Sequence, residues 1–257
     1  MGELQKTFDI YDGDTRLDAV LHFPTNYKEG EKIPLCIIMH GFTGNKEERH
    51  LLAVSDMMNE VCIATLRFDF FGHGLSDGEF KYHTLDIWVS NVLVVFAYAK
   101  TMNLFSKYIL CGHSQGGLTA ILAGAKLQDE IEGIIPMSPA DVIVWGAREG
   151  VILGNRFDAD HVPEEFVAKE GWILDKSYIE CARNTDLESA IAANKKPVII
   201  VTGTADATVD AELVKKDAKG FADCTLELIE GDSHCFDYHL EDAVEAIRKN
   251  ITARGWA

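Results

Sequence analysis

Five consecutive residues, Leu35-Cys36-Ile37-Ile38-Met39, carry no charged or amide side chain. Successive side chains of a strand point to opposite faces, so a run without polar alternation must be covered on both sides. Parallel sheets flanked by helices meet that demand, whereas an antiparallel sheet with one wet face does not. Tyr108-Ile109-Leu110-Cys111 and Val198-Ile199-Ile200-Val201 repeat the pattern, and residues 61–68, residues 131–137 and Leu226-Glu227-Leu228-Ile229 also read as strands.

Helical segments separate these strands. Residues 47–59 place Leu51, Leu52, Val54 and Met58 on one side, and Thr84 is an N-cap for a helix over 85–102. Small residues dominate 117–127, and a last helix spans 240–251. Such alternation implies right-handed crossovers, with helices on both faces of one sheet. Upstream, Thr7-Phe8-Asp9-Ile10-Tyr11, a turn at Asp12-Gly13-Asp14 and the run 17–23 before Pro24 read as an antiparallel hairpin. The expectation is one α/β domain over residues 1–257. Only 139–196 breaks the rhythm. It carries Trp145, Phe157, His161, Phe166, Trp172 and Tyr178 among charges, as a lid or binding insert would.

Charge limits the partners. The chain has 41 acidic against 24 basic residues, a net charge of -17, and no basic run. It repels nucleic acid and anionic lipid, so neither is an expected partner. The start, Met1-Gly2-Glu3-Leu4-Gln5-Lys6, lacks a basic segment followed by an apolar one, and the longest apolar stretch, 92–99, makes only about two helical turns. Six scattered cysteines without a Cys-x-x-Cys pair read as buried free thiols of a reducing compartment, hence a cytoplasmic protein. No Gly-x-Gly-x-x-Gly or Walker A loop, His-Glu-x-x-His pair, Cys/His quartet or EF-hand loop is present, so neither a cofactor nor a metal is expected.

The chemistry concentrates in Gly112-His113-Ser114-Gln115-Gly116, which follows a strand and opens a helix. In that context Gly-x-Ser-x-Gly is a sharp turn that exposes the serine oxygen. Glycines at 112 and 116 remove side chains that would collide there. A serine hydroxyl needs a base, and the base needs an orienting acid. Asp206 follows the strand 198–201 and His234 follows the strand 226–229, so the three candidates share the C-terminal edge of the sheet. Asp141, also beyond a strand end, is the alternative acid. Asp210 and Asp232 read as solvated loop carboxylates. His239 lies too far along to face the serine, and His113 packs inside the turn. His22, His50, His73, His83 and His161 have no companion motif and read as core or surface residues.

Acyl transfer also requires donors for an oxyanion. The amide of Gln115, next to the nucleophile, is one. The loop His40-Gly41-Phe42-Thr43-Gly44-Asn45-Lys46 offers the amide of Phe42 as the other. Residues 67–78 form a further polar turn at a strand end and read as scaffold bordering the pocket.

In order and spacing these motifs resemble the α/β-hydrolase superfamily over nearly the whole chain. HGFTGNK, RFDFFGHGLSDGEF, GHSQGG, GTADATV and EGDSHCF are most similar to bacterial cinnamoyl (feruloyl) esterases. The resemblance implies an α/β-hydrolase fold, a mostly parallel eight-stranded sheet with helices on both faces and a small cap inserted at about 141–195. It carries the nucleophile to Ser114, the acid to Asp206, the base to His234 and the oxyanion donors to Phe42 and Gln115. Relatives hold the phenolic hydroxyl of the substrate with an acid and a tyrosine of the cap. Tyr178 matches the tyrosine, while Val144-Trp145-Gly146 stands where the acid is expected; Tyr178 and Trp145 are the substrate-binding candidates, with plain cap packing as the alternative for both. The implied activity is a serine carboxylesterase acting on hydroxycinnamate esters, small molecules with an aromatic acyl group, in a homodimer. The alternatives are a general short-chain carboxylesterase or monoacylglycerol lipase, and a non-catalytic ligand-binding protein of the same fold.

Overall fold

The computed structural model describes residues 4–168 and 171–257; residues 1–3, which open the segment read for a leader, lie outside it. The hairpin of β1 (Gln5–Asp12) and β2 (Thr15–His22) turns at Gly13, whose φ of +61° favours glycine. Then follow β3 (Ile33–Met39), α1 (Arg49–Glu60), β4 (Ala64–Phe68), α2 (Leu85–Thr101), β5 (Phe105–His113), α3 (Gln115–Lys126) and β6 (Gly133–Met137). The Thr84 hydroxyl accepts the Ile87 amide at 3.2 Å and caps α2 as expected. β4 starts three residues later than the apolar run suggests. Residues 61–63 instead close α1: the Ile63 amide bonds the Met58 carbonyl, and Cys62 takes a left-handed φ of +64°.

After β6 the chain leaves the sheet for α4 (Val142–Glu149), the strand pair β7 (Val151–Ile152) and β8 (Asn155–Arg156), the pair β9 (Glu165–Val167) and β10 (Ile173–Asp175), α5 (Lys176–Asn184) and α6 (Leu187–Ala193). It returns through β11 (Val198–Gly203), α7 (Ala211–Ala218), β12 (Cys224–Ile229) and α8 (Leu240–Ala253). The sheet has eight strands in the order β1-β2-β4-β3-β5-β6-β11-β12, and only β2 runs against the rest.

The unalternating strands are buried on both faces, as their composition demands. Leu35, Ile37, Leu110, Ile134 and Ile200 join a core with α2, α3 and the excursion after β6. Cys36, Ile38, Ile109, Cys111, Ile135 and Ile199 face the opposite core, with Leu51, Val54 and Met58 of α1 and Ile247 and Ile251 of α8. Each such side chain contributes about 1.5–3 kcal/mol on burial. All six cysteines are free; Cys36 and Cys111 are buried as expected, but Cys62 is exposed at its turn.

Register sets the site. Met39 lies beside Phe68 and Gly112, His113 beside Met137, Met137 beside Val201, and Gly203 beside Ile229. The loops that follow β3, β5, β11 and β12 therefore leave from one edge of the sheet.

Candidate active site

Steric crowding explains the glycines around Ser114. A Cβ on Gly112 would stand 2.2 Å from the Gly116 carbonyl oxygen, and one on Gly116 would stand 2.4 Å from that of His40. With both absent, β5 turns into α3 within one residue. Ser114 occupies φ 55°, ψ -120°, a region that costs a non-glycine residue on the order of 1–3 kcal/mol. The surroundings hold it there: its amide bonds the Met137 carbonyl at 2.9 Å, and its carbonyl accepts the amides of Leu118 and Ala140, each at 3.0 Å.

Three loops converge on the hydroxyl, which borders the cavity. His234 Nε2 lies 2.9 Å from Ser114 Oγ, and His234 Nδ1 lies 2.7 Å from Asp206 Oδ2. The side chain of Asp206 is fully buried, and its second oxygen accepts the amides of Thr208 and Val209, each at 2.8 Å. Three donors thus engage both of its oxygens. Asp141 is elsewhere, at the start of α4. There burial first, and the neighbouring Asp217 second, push its carboxyl well above the usual range.

The amides of Phe42 and Gln115 donate to no protein acceptor among the described residues. Phe42 borders the cavity above Ser114, and Gln115 is the first residue of α3. Both positions suit an oxyanion. Phe42 belongs to a braced loop. His73 Nε2 faces its carbonyl at 2.5 Å, and His40 Nδ1 bonds the Gly41 carbonyl at 2.8 Å. Lys46, at the end of the loop, is buried between Asp18 and Asp69, at 2.5 and 2.7 Å. Asp69 also accepts the amides of Lys46 and Leu75, and Gly74 leaves room for its carboxylate, which a Cβ there would meet at 2.2 Å. Residues 67–78 thus act as scaffold, framing the Phe42 loop, and none of them lines the cavity.

Sequence reasoning missed three further features. His113 packs inside the turn, as its position suggests, but its Nε2 also meets the His234 carbonyl at 2.8 Å. Glu48, which belongs to no motif, reaches the cavity wall. Asp232 is not a solvated carboxylate: it is buried and accepts the amides of Ser233 and Tyr238, which ties the loop that carries His234. Asp210 is engaged as the N-cap of α7, accepting the Glu212 amide.

The cavity over Ser114 and His234 measures about 570 Å³. Phe42, Leu153, Trp172, Thr208 and Tyr238 form much of its wall, so β7–β8 and the segment before β10 cover one side. Tyr178 and Trp145 do not line it. Tyr178 is fully buried, and its hydroxyl donates to the Gln115 side chain at 2.7 Å. Trp145 donates its indole N–H to Asp217 at 3.0 Å, with Arg148 and Lys216 over its ring.

Comparison with known proteins agrees with this geometry. Residues 30–167 match the family described as serine aminopeptidase, S33. Est1E from Butyrivibrio proteoclasticus, solved with ferulic acid bound, is 42% identical, covering 97% of this chain and all of its own, with a TM-score of 0.94. A second structure of Est1E is 39% identical over 98% of this chain and 99% of its own, with a TM-score of 0.91. The mouse α/β hydrolase domain-containing protein 10 shares the fold at 19% identity, covering 96% of this chain and 99% of its own, with a TM-score of 0.76. No curated protein sequence matches.

Proposed function

Because the chain belongs to the serine aminopeptidase (S33) family of α/β-hydrolases, we propose that it is a serine carboxylesterase acting on hydroxycinnamate, feruloyl-type esters. The observation that carries the chemistry is the relay from Ser114 Oγ through His234 to buried Asp206, with links of 2.9 and 2.7 Å. The aromatic acyl group rests on the ferulic acid bound to Est1E and on the aromatic wall of the cavity.

In the proposed reaction Ser114 Oγ attacks the ester carbonyl while His234 Nε2 takes its proton. The amides of Phe42 and Gln115 stabilise the oxyanion. His234 returns the proton to the departing alkoxide, leaving an acyl-serine. Water, deprotonated by His234, attacks that acyl group; the bond to Ser114 Oγ breaks, His234 returns the proton to Oγ, and the carboxylic acid is released. Asp206 holds the imidazole in the tautomer with Nδ1–H and stabilises the imidazolium. The cap over the acyl group is the insertion at about 141–195 within one domain of residues 1–257, a reading supported by Trp172 and Leu153 in the cavity wall.

A second reading, a less selective short-chain esterase or monoacylglycerol lipase, is favoured by one observation. The Tyr178 hydroxyl is engaged by Gln115 and does not reach the cavity, so this candidate for gripping a phenol is already occupied. A panel of methyl ferulate, p-nitrophenyl butyrate, a monoglyceride and an aminoacyl p-nitroanilide separates these readings. Preference for methyl ferulate supports the first, and preference for the aliphatic esters replaces it with the second. Cleavage of the anilide alone replaces both with aminopeptidase activity. Failure to turn over any of them favours a binding protein. Ser114→Ala is expected to lose turnover by roughly four to six orders of magnitude, together with labelling by a fluorophosphonate.

A cytoplasmic location fits the six free thiols, and no helix among the described residues is long and apolar enough to cross a membrane. A homodimer would cover Val167 and Ile173, exposed cross-strand partners on the β9–β10 hairpin, with neighbouring Trp172. Light scattering of the purified chain tests it, and a monomer at micromolar concentration rejects it.

A further inference from the structure

Beside the relay, three buried polar atoms have no hydrogen-bond partner: Glu48 Oε2, His50 Nε2 and His113 Nδ1. One ligand atom from each of these three side chains lies within 4.8 Å of the other two, and Glu48 Oε2 stands 3.8 Å from His50 Nε2. Both imidazoles are almost wholly buried. Leaving such groups unsatisfied costs on the order of 1–3 kcal/mol each, so three meeting at one point call for a shared occupant.

The chemistry of the atoms selects it. His113 Nε2 faces the His234 carbonyl, which can only accept, so the His113 proton sits on Nε2 and Nδ1 presents a lone pair to the cluster. Burial keeps both imidazoles neutral, with His50 driven down to about 4. Two imidazole nitrogens and one carboxylate form a donor set for a divalent transition metal, in which each ligand stands about 2.0–2.2 Å from the ion. Two such ligands of a tetrahedral ion stand roughly 3.4 Å apart, so the 3.8 Å pair needs to close by about 0.4 Å and the widest by at most about 1.4 Å, within reach of side-chain rotation. Glu48 and His113 both border the cavity, which gives the ion an entry route and water for a fourth position.

We propose that Glu48, His50 and His113 form an inhibitory site for a divalent transition ion such as Zn2+. The consequence follows from position. Binding draws His113 Nδ1 onto the ion, and the Nε2 of the same ring holds the His234 carbonyl at 2.8 Å. His234 is thereby displaced from Ser114, and turnover falls.

The test starts from chelator-treated protein at neutral pH. Co2+ is added and the visible absorption of a four-coordinate site is read. Zn2+ is then titrated by calorimetry and against hydrolysis of p-nitrophenyl butyrate. The expected result is one ion per chain and at least tenfold inhibition, reversed by chelator. His50→Gln retains metal-free turnover, loses the Co2+ absorption, and needs roughly ten- to hundredfold more Zn2+ for inhibition. Glu48→Gln gives the same spectroscopic loss should the first variant not fold. Cys235→Ser, which removes a soft ligand at the cavity wall, leaves binding intact. No Co2+ absorption in the parent protein means that water alone bridges the three atoms and overturns the proposal. An absorption unchanged in both His50→Gln and Glu48→Gln places the ion elsewhere and overturns it too. Inhibition rests on the esterase reading and the Co2+ spectrum does not, so the two can fail separately.

Discussion

His113 Nε2 meets the backbone carbonyl of His234 at 2.8 Å, so the residue before the nucleophile holds the main chain that carries the base. The two rings lie 4.8 Å apart. One imidazole thus ties the end of β5 to the loop after β12. Ser114 and His234 keep their 2.9 Å approach although 120 residues separate them.

Removing this tie is predicted to act on the chemical step. His113→Ala should lower kcat by roughly ten- to hundredfold, the scale of an ångström-sized misplacement of a catalytic group, with little change in KM. Steady-state kinetics on methyl ferulate decide it. An unchanged kcat would reduce the contact to packing.

Backbone strain at Ser114 gives a second prediction. Ser114→Ala and Ser114→Gly both lose the hydroxyl, but only glycine relaxes at φ 55°, ψ -120°. The glycine variant should be more stable than the alanine variant by about 1 kcal/mol, the strain being partly offset by glycine's freedom when unfolded. Urea unfolding of the two inactive variants measures the difference, and equal midpoints would mean that the turn stores no strain.

Lys46 supplies a third. Its ammonium is nine-tenths buried between Asp18 and Asp69. Lys46→Met leaves two largely buried carboxylates short of their cation and should cost about 3–5 kcal/mol. Catalysis should weaken as well, because the loop that presents the Phe42 amide loses its anchor. Denaturant midpoints and kcat together check this; a stable, fully active variant would refute the bracing role.

Acid sensitivity is the fourth. Burial drives His83 down to about 3, and it lowers His40 strongly as well. The unfolded chain binds protons at these histidines near pH 6.5 while the folded chain refuses them. Their stabilising contribution is therefore whole above pH 6.5 and shrinks as pH falls toward the folded values. For His83 the loss between pH 7 and pH 5 is about 2 kcal/mol. His83→Gln should flatten the stability profile across that window in chemical denaturation. A slope identical to the parent's would contradict it.

Much of this was legible along the chain. The parallel sheet follows from Leu35–Met39-type runs, because covering both faces of a strand is a local requirement that composition reports. The sharp turn at Ser114 follows from Gly112 and Gly116, whose missing Cβ atoms make room for neighbouring backbone. Asp206 and His234 were legible as loop residues beyond buried strands, since parallel strands put all such loops on one edge. Asp232 does not read as buried because one of its oxygens accepts two amides of its own loop, a closure that no residue pattern announces.

What periodicity and turn chemistry determined was the framework and the edge where chemistry would gather, because both depend on forces acting within a few residues. Only the folded arrangement decided who meets whom. It placed Tyr178 against Gln115 instead of the cavity, turned Trp145 toward Asp217, and brought Glu48, His50 and His113 to one point. Those outcomes depend on the packing of elements far apart along the chain, and the direction in which a side chain points there is set by neighbours that local sequence does not specify.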